Sequence, residues 1–158
     1  HPPDWPATAV SAHIDKLSSC NGVYFPVDNE NLSRFDEREQ GYKRIALDWS
    51  HVSSLSLVSL PTDGNLWVYV GFEFNEPSQV RPIMQSYLDV VLNGCLDYGD
   101  EFAKRFTEST QKWKYLVDDR HDPLYLRPLK SHDKIVKVDQ IIEQHLPNLW
   151  HGREKKDL

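Results

Sequence analysis

The chain has 158 residues, of which 27% are charged, with a formal net charge of −6 and a pI near 5.6. This length accommodates one domain with a sizeable core, and the acidic balance excludes a phosphate-binding surface, which requires clustered Lys and Arg. The sequence therefore predicts a single domain over residues 1–158, no nucleic-acid partner and, because no stretch approaches about 20 consecutive apolar residues, no membrane span.

The first residues indicate irregular structure, and the cysteines indicate the redox compartment. The segment His1–Pro6 contains three prolines, which predict irregular structure. Cys20 and Cys95 lie far apart without a Cys-Xaa-Xaa-Cys spacing, a usage typical of buried free thiols rather than of a disulfide or zinc framework. We therefore predict an intracellular, reducing compartment, either the cytoplasm or an organelle interior, and no cofactor.

A short helix is predicted from Asp28, whose carboxylate can cap the first backbone N–H groups. Leu32 and Phe35 fall on one face, and Glu39 returns to within about 20° of that apolar stripe. Gly41 is expected to end the helix in a left-handed conformation, and Tyr42 to begin a strand. The spacing thus directs the Glu39 carboxylate towards the interior.

Two interpretations of Glu39 follow from this position. Burial disfavours the charged form of a carboxylate, so an inward Glu can take and return a proton near neutral pH and act as a general acid and base. Alternatively, the run Asp-Glu-Arg-Glu is a solvated helix end, the commoner role of such runs. Spacing alone does not decide between them.

The next segments alternate apolar and polar residues. Strands are predicted over 42–47, 52–60 and 66–74, with a turn at Pro61–Asn65. The third strand is nearly continuously apolar, which predicts burial on both faces. Its aromatic residues are interpreted as core, although a base-stacking platform is the alternative for such residues.

Three helices are predicted beyond Pro82. The first carries an apolar stripe from Ile83 to Leu92 and closes at Asn93-Gly94, with Tyr87 on the apolar side. The Tyr87 hydroxyl requires a partner, either a ligand or a backbone carbonyl. The second helix begins near Asp100, and the last covers about Asp133 to Leu146.

Residues 113–128 are predicted to form an extended arm. Three carboxylates surround His121 in this segment, which admits a metal site of oxygen and imidazole ligands. Arg120 would compete for those carboxylates. We therefore favour an arm held by Arg–carboxylate pairs and by packing of Leu124 and Tyr125, and predict no metal.

The stretch Asn21–Val27, together with Leu32, residues 35–39 and Tyr42, resembles the core of the γ-glutamylcyclotransferase-like family. Tyr87 and Gly94 resemble the Tyr and Gly of that family's later helix, so the resemblance covers roughly residues 20 to 106. It implies an α+β fold, a small mixed β-barrel or curved sheet with peripheral helices. The family's N-terminal strand and Tyr-Gly-Ser-type loop have no counterpart in this sequence.

The resemblance also implies a function. The substrate would be a small γ-glutamyl amine or peptide, converted to 5-oxoproline with release of the amine. Glu39 would be the catalytic acid and base, and Tyr42 and Tyr87 would bind the substrate. Either this sequence is a fragment and the loop precedes it, which would permit the enzyme activity, or the loop has been lost. The alternatives to an enzyme are a non-catalytic accessory or structural subunit bound to other protein chains of an assembly, and a sensor that binds γ-glutamyl compounds without turnover.

Overall fold

A computed structural model of the protein describes residues 6–56, 58–61 and 63–156. The chain is 36% helix and 13% strand, which confirms the mixed α and β class. The described residues divide into two compact units. We name them the hairpin unit, comprising Ser11–Ile14 and Tyr24–Phe74, and the helical unit, comprising the residues up to Val10, Asp15–Val23 and the chain from Asn75 onward.

The hairpin unit consists of one helix and an antiparallel strand pair. Helix α1 spans Asn29–Arg38, strand β1 spans Tyr42–Leu47 and strand β2 spans Leu66–Gly71. A 3₁₀ turn at Trp49–His51 follows β1. The register places Tyr42 opposite Gly71 and Arg44 opposite Tyr69. Because side chains alternate along a strand, Tyr42 and Arg44 lie on one face of the pair.

Helix α1 begins as predicted and ends differently. The Asp28 carboxylate accepts a hydrogen bond from the Asn31 N–H at 2.8 Å, which confirms the predicted N-cap. The C-cap is Glu39 with φ of −98°, and Gly41 is not among the residues with positive φ, so the predicted left-handed cap is wrong. The chain turns instead through a hydrogen bond from the Tyr42 N–H to the Glu39 carbonyl, at 2.8 Å.

Two strand predictions in the hairpin unit are also corrected. Residues 52–56 and 58–60 form no strand, and Leu57 lies outside the described residues. In this segment the Ser54 hydroxyl donates to backbone carbonyls of Ser56 and Val58, an option that competes with strand pairing. Strand β2 ends at Gly71 rather than residue 74, and Val70 is its one buried residue, so burial on both faces is wrong.

The helical unit combines a small sheet with a group of helices. The strands are β3 (Ile83–Met84), β4 (Leu116–Asp118) and β5 (Glu154–Lys155), and the helices are α2 (Gln85–Leu96), α3 (Asp100–Ser109), α4 (His132–His145) and α5 (Pro147–His151). Strand β4 lies between β3 and β5 and is parallel to both. Thr8 adds a parallel bridge to Ile83.

One hydrophobic core serves the helical unit. It is formed by side chains from helices α2, α3, α4 and α5 and from strands β3 and β4. Its buried residues are Ile83, Leu88, Leu92, Cys95, Ala103, Leu116, Val138, Ile141, Ile142 and Leu149. Each fully buried Leu or Ile contributes about 1.5–3 kcal/mol relative to an exposed position. This core, rather than helix propensity, holds the helices together.

The predicted helices of this unit are present, but both ends of the first one are corrected. Ile83 and Met84, expected in the helix, form strand β3 because they pair with β4, and α2 begins at Gln85. Helices α3 and α4 match the predictions near Asp100 and over 133–146. Helix α2 continues through Asn93-Gly94 and ends at Leu96, because the Asn93 carbonyl still accepts a helical hydrogen bond from the Asp97 N–H. Among the described residues both cysteines are free, but only Cys95 is buried; Cys20 is exposed, contrary to the expectation.

The described residues form two small sheets and no closed barrel. The barrel alternative of the predicted fold therefore has no counterpart in this part of the chain, because β1 and β2 pair only with each other and the parallel strands are two or three residues long. No helix in residues 6–56, 58–61 and 63–156 has the length and apolar character needed to cross a membrane.

Candidate functional site

Glu39 lies at the junction between α1 and β1. As the C-cap residue its N–H donates to the Phe35 carbonyl at 2.8 Å. Its side chain is 25% exposed, so the carboxylate is partly withdrawn from water, in the direction that the helical spacing predicts. The Glu39 Oε1 atom accepts from Arg38 Nε at 2.8 Å, and the Arg38 guanidinium also lies over the Phe35 ring. Glu39 is therefore a partly buried carboxylate paired with one mostly exposed cation.

Tyr42 follows Glu39 through the tight turn and starts β1. Its phenol is partly buried, and its pKa is raised first by that burial and then by the negative charge of Glu39. The hydrogen bond from the Tyr42 N–H to the Glu39 carbonyl, at 2.8 Å, holds the two residues together through the turn. At neutral pH the phenol is protonated, so it serves as a hydrogen-bond donor beside the carboxylate.

A second polar group lies on the same face of the strand pair. The Tyr69 hydroxyl donates to Asp36 Oδ1 at 2.7 Å, and Arg44 Nη1 lies 3.0 Å from Asp36 Oδ2. The Arg44 guanidinium also stacks over the Trp67 ring, 4.7 Å from its centroid. Burial, and then Asp36, raise the pKa of the Tyr69 phenol, while Arg44 opposes the shift. Helix α1 thus packs its Asp36 against this face of the hairpin.

The sequence analysis did not identify Arg44 or Tyr69 as site residues. Two signals in the sequence point to Arg44: it lies two residues after Tyr42 on a predicted strand, and Asp36 lies three residues before Glu39 on a predicted helix. Tyr69 was interpreted as core. Its place opposite Arg44 depends on the register of β1 with β2, which the sequence of either strand alone does not specify.

Tyr87 lies in the helical unit, on α2. Its hydroxyl accepts a hydrogen bond from the Val10 N–H at 3.2 Å, and its ring contacts the Tyr125 ring edge to face at 5.6 Å. A backbone amide is thus one partner of the Tyr87 hydroxyl, in addition to any acceptor of the hydroxyl proton. The contact with Tyr125 brings α2 and the predicted arm together, so Tyr87 has a packing role within its own unit.

Two charged residues, Asp119 and Arg120, hold the arm over 113–128 against the rest of the helical unit. Asp119, which is fully buried, accepts from the Ser86 N–H at 2.8 Å, from the Ser86 hydroxyl at 2.7 Å and from the Leu124 N–H at 2.8 Å. Arg120 donates to both oxygens of Asp89, at 2.7 Å, and to both oxygens of Asp139, at 2.6 and 3.2 Å. These are the Arg–carboxylate pairs that the sequence predicts.

Burial alone would lower the pKa of Arg120, but the hydrogen bonds and charges of Asp89 and Asp139 outweigh it and raise the pKa. The guanidinium is permanently charged and cannot exchange protons in this network. Within the described residues no group of three or more His, Cys, Asp or Glu side chains is placed to hold a metal ion. The chemistry of this cluster is structural: it joins α2, the arm and α4.

A small pocket of about 190 Å³ lies elsewhere in the helical unit. It is lined by Trp113 and by the segment from His145 to Leu149, where α4 meets α5. The Trp113 indole N–H donates to the Thr107 carbonyl at 2.9 Å. None of the predicted site residues lines this pocket.

Searches against known protein families, curated proteins and solved structures find no match to this chain.

Proposed function

We propose that this protein is a γ-glutamylcyclotransferase-like enzyme that releases 5-oxoproline from a γ-glutamyl amine or peptide, with Glu39 as acid and base. The observation that supports the proposal is the pairing of Glu39 with Tyr42. Glu39, whose side chain is 25% exposed, is joined by the backbone turn to Tyr42, whose phenol pKa is raised by burial and then by the charge of Glu39. The pair combines a proton acceptor with a hydrogen-bond donor.

The proposed reaction requires one proton to move between two nitrogens. The α-amine of the substrate attacks its own γ-carbonyl carbon, forming a C–N bond and closing a five-membered ring. Glu39 accepts the proton that the attacking nitrogen loses and returns it to the departing nitrogen as the original amide C–N bond breaks. Because the attack is intramolecular, holding the substrate in a bent conformation supplies much of the rate.

Tyr42 has a distinct role in this scheme. The carbonyl oxygen gains negative charge in the tetrahedral intermediate, and a protonated phenol can donate to it. Arg38 must move away from Glu39 for the carboxylate to reach the substrate, and its side chain is 66% exposed, so water can receive it. The role of Tyr87 in substrate binding rests on the family resemblance alone. The curved-sheet fold proposed for the whole domain rests on the same resemblance.

The test is an assay of 5-oxoproline release from γ-glutamyl dipeptides such as γ-glutamylalanine. Glu39→Gln keeps the shape of the side chain and removes its basicity, so kcat should fall by about 10²- to 10⁴-fold. Glu37→Gln is the matched control, because Glu37 is exposed on the same helix and should leave kcat unchanged. Equal rates for the wild type and Glu39→Gln, or no release by the wild type, would contradict the proposal.

A second candidate function is that of a non-catalytic accessory subunit. The observation that favours it is the apolar surface of the hairpin unit, where Phe25, Phe72 and Phe74 are 61%, 68% and 56% exposed. Large exposed apolar side chains in one small unit are typical of protein–protein contacts. Light scattering on protein purified from its native source would then give a mass above that of one chain, together with no 5-oxoproline release.

A further inference from the structure

We infer that Arg44 binds the α-carboxylate of the γ-glutamyl group, with Trp67 as the platform that holds its guanidinium. This inference rests on the proposed function, since it names the part of the substrate that one residue of the same face recognises. Every γ-glutamyl compound carries a free carboxylate on the carbon that bears the attacking amine. A fixed cation near the general base is one way to bind this carboxylate, because a guanidinium forms charge-assisted hydrogen bonds with it.

The position of Arg44 suits this role. Tyr42 and Arg44 are alternate residues of β1, so their side chains leave the same face of the hairpin about 7 Å apart at the backbone. Glu39 acts electrostatically on Tyr42, and Asp36 contacts Arg44 from the same helix. The general base thus precedes Tyr42 across the tight turn, and the cation follows Tyr42 on the same face of β1.

The hydrogen-bonding capacity of Arg44 is incompletely used. Nη1 lies 3.0 Å from Asp36 Oδ2, yet this buried nitrogen has no partner with hydrogen-bond geometry among the described residues. The Asp36 side chain is itself 43% exposed, and that of Arg44 is 28% exposed, so solvent and solutes reach the pair. A guanidinium carries five N–H donors in a planar fork that matches a carboxylate. Nη1 itself is enclosed, so an incoming carboxylate would contact the exposed part of the Arg44 side chain.

Trp67 orients the guanidinium group of Arg44. The guanidinium lies 4.7 Å from the ring centroid, which fixes its plane without using its N–H groups. Tyr69, opposite Arg44 on β2, holds Asp36 by its own hydrogen bond and so limits the movement of the counter-ion. Arg44 is thereby oriented by contacts that leave donors for a ligand.

The experiment compares two ligands that differ in one group. 5-Oxoproline carries the carboxylate and 5-oxoprolinamide carries a neutral amide, and neither has an α-ammonium group to bind elsewhere. Affinities measured by calorimetry or by ligand-observed NMR should favour the carboxylate ligand by about 10- to 100-fold in the wild type, the effect of a charge-assisted hydrogen bond. The variant Arg44→Gln should bind both ligands equally.

Two further variants separate recognition from folding. Arg44→Lys keeps the positive charge but loses the planar fork, and should retain a reduced preference for the carboxylate ligand. Lys43→Gln removes the neighbouring cation on the opposite, exposed face of β1 and should leave the full preference. A preference that survives in Arg44→Gln, or that is absent from the wild type, would overturn the inference.

These outcomes are independent of turnover. If the wild type shows the carboxylate preference and Arg44→Gln abolishes it, but no 5-oxoproline is released from γ-glutamylalanine, the inference stands and the catalytic proposal fails. If 5-oxoproline is released and KM for γ-glutamylalanine is the same in Arg44→Gln as in the wild type, the catalytic proposal stands and the inference fails.

Discussion

Arg120 in the helical unit and Arg44 in the hairpin unit differ in the number of contacts that their guanidinium groups make with carboxylates. Arg120 engages all four oxygens of Asp89 and Asp139, and the Asp89 side chain is 2% exposed. Arg44 has one carboxylate contact, with Asp36, at a partly exposed position. A guanidinium that donates four hydrogen bonds to two carboxylates fixes elements of the fold, whereas one with a single carboxylate contact keeps donors that can serve a ligand.

The comparison also separates the acidic residues of the two units. Asp119 is enclosed by Ser86 and by the backbone of the arm, so its carboxylate is committed to holding that segment. Glu39 has one ion pair, with a cation that is mostly in water. Sequence patterns identify both as clustered carboxylates, and only their surroundings show which one is available for chemistry.

The largest expected effect is on the buried network. Replacing Arg120 with Gln leaves the Asp89 charge buried without a cation, which should lower the free energy of unfolding by about 3–5 kcal/mol. Urea denaturation monitored by circular dichroism measures this loss. Arg105→Gln is the control, because Arg105 forms an exposed pair with Glu101 on α3 and should change the stability by less than about 1 kcal/mol.

Cys95 provides a local readout of the same prediction. Burial raises the pKa of its thiol to about 11, so its thiolate fraction is small at neutral pH and alkylation in the folded protein should be slow. Cys20 is exposed and labels as an internal standard. Faster labelling of Cys95 in Arg120→Gln is expected, and unchanged labelling together with unchanged stability would show that the network is not structural.

The next effect concerns the acceptor that fastens the arm. Asp119→Asn replaces one acceptor oxygen with an amide that faces the Ser86 and Leu124 donors, at an expected cost of about 1–3 kcal/mol in stability. Thermal or urea unfolding measures the change. Asp122→Asn is the control on the same arm, because Asp122 pairs with Lys156 at the surface and its loss should matter much less. Equal effects of the two variants would contradict the distinction.

The structural features that the sequence predicted correctly depend on residues that are close together in the chain. The cap at Asp28 and the helices near Asp100 and over 133–146 depend on local spacing and were predicted correctly. The end of α2 depends on packing against the rest of its unit, and the absence of a strand over 52–56 and 58–60 accompanies hydrogen bonds of the Ser54 hydroxyl that the apolar pattern does not indicate. Gly94 is helical because the surrounding helix is packed into the core, which outweighs the weak helix propensity of glycine.

The same distinction applies to the candidate site. Glu39 and Tyr42 are adjacent through a local turn, so a helix followed by a strand suffices to place them together. Arg44, Tyr69 and Trp67 converge only after β1 and β2 pair in one register, and nothing in either segment specifies that register. The sequence could therefore reveal Glu39 and Tyr42, whereas the position of Arg44 against Tyr69 and Trp67 could be recognised only in the structure.

The smallest expected effect lies at the start of α1. Asp28→Ala removes the side-chain acceptor for the Asn31 N–H and should cost about 1 kcal/mol, because one helix cap is worth that much. Amide hydrogen exchange in α1 measures the change locally, and Asp28→Asn, which keeps an acceptor oxygen, should recover most of it. Unchanged exchange in Asp28→Ala would show that packing on the hairpin, rather than the cap, holds this helix.

The parallel sheet of the helical unit has a kinetic consequence. Ile83 pairs with Leu116, and Val117 pairs with Glu154, so each pairing closes a loop of more than thirty residues. Helices α2, α3 and α4 need only neighbouring residues to form hydrogen bonds, whereas the strands must wait until distant segments meet. High contact order slows folding. We therefore expect the sheet to form after the helices, with the outer edge of β4 open to other chains until β5 pairs with it.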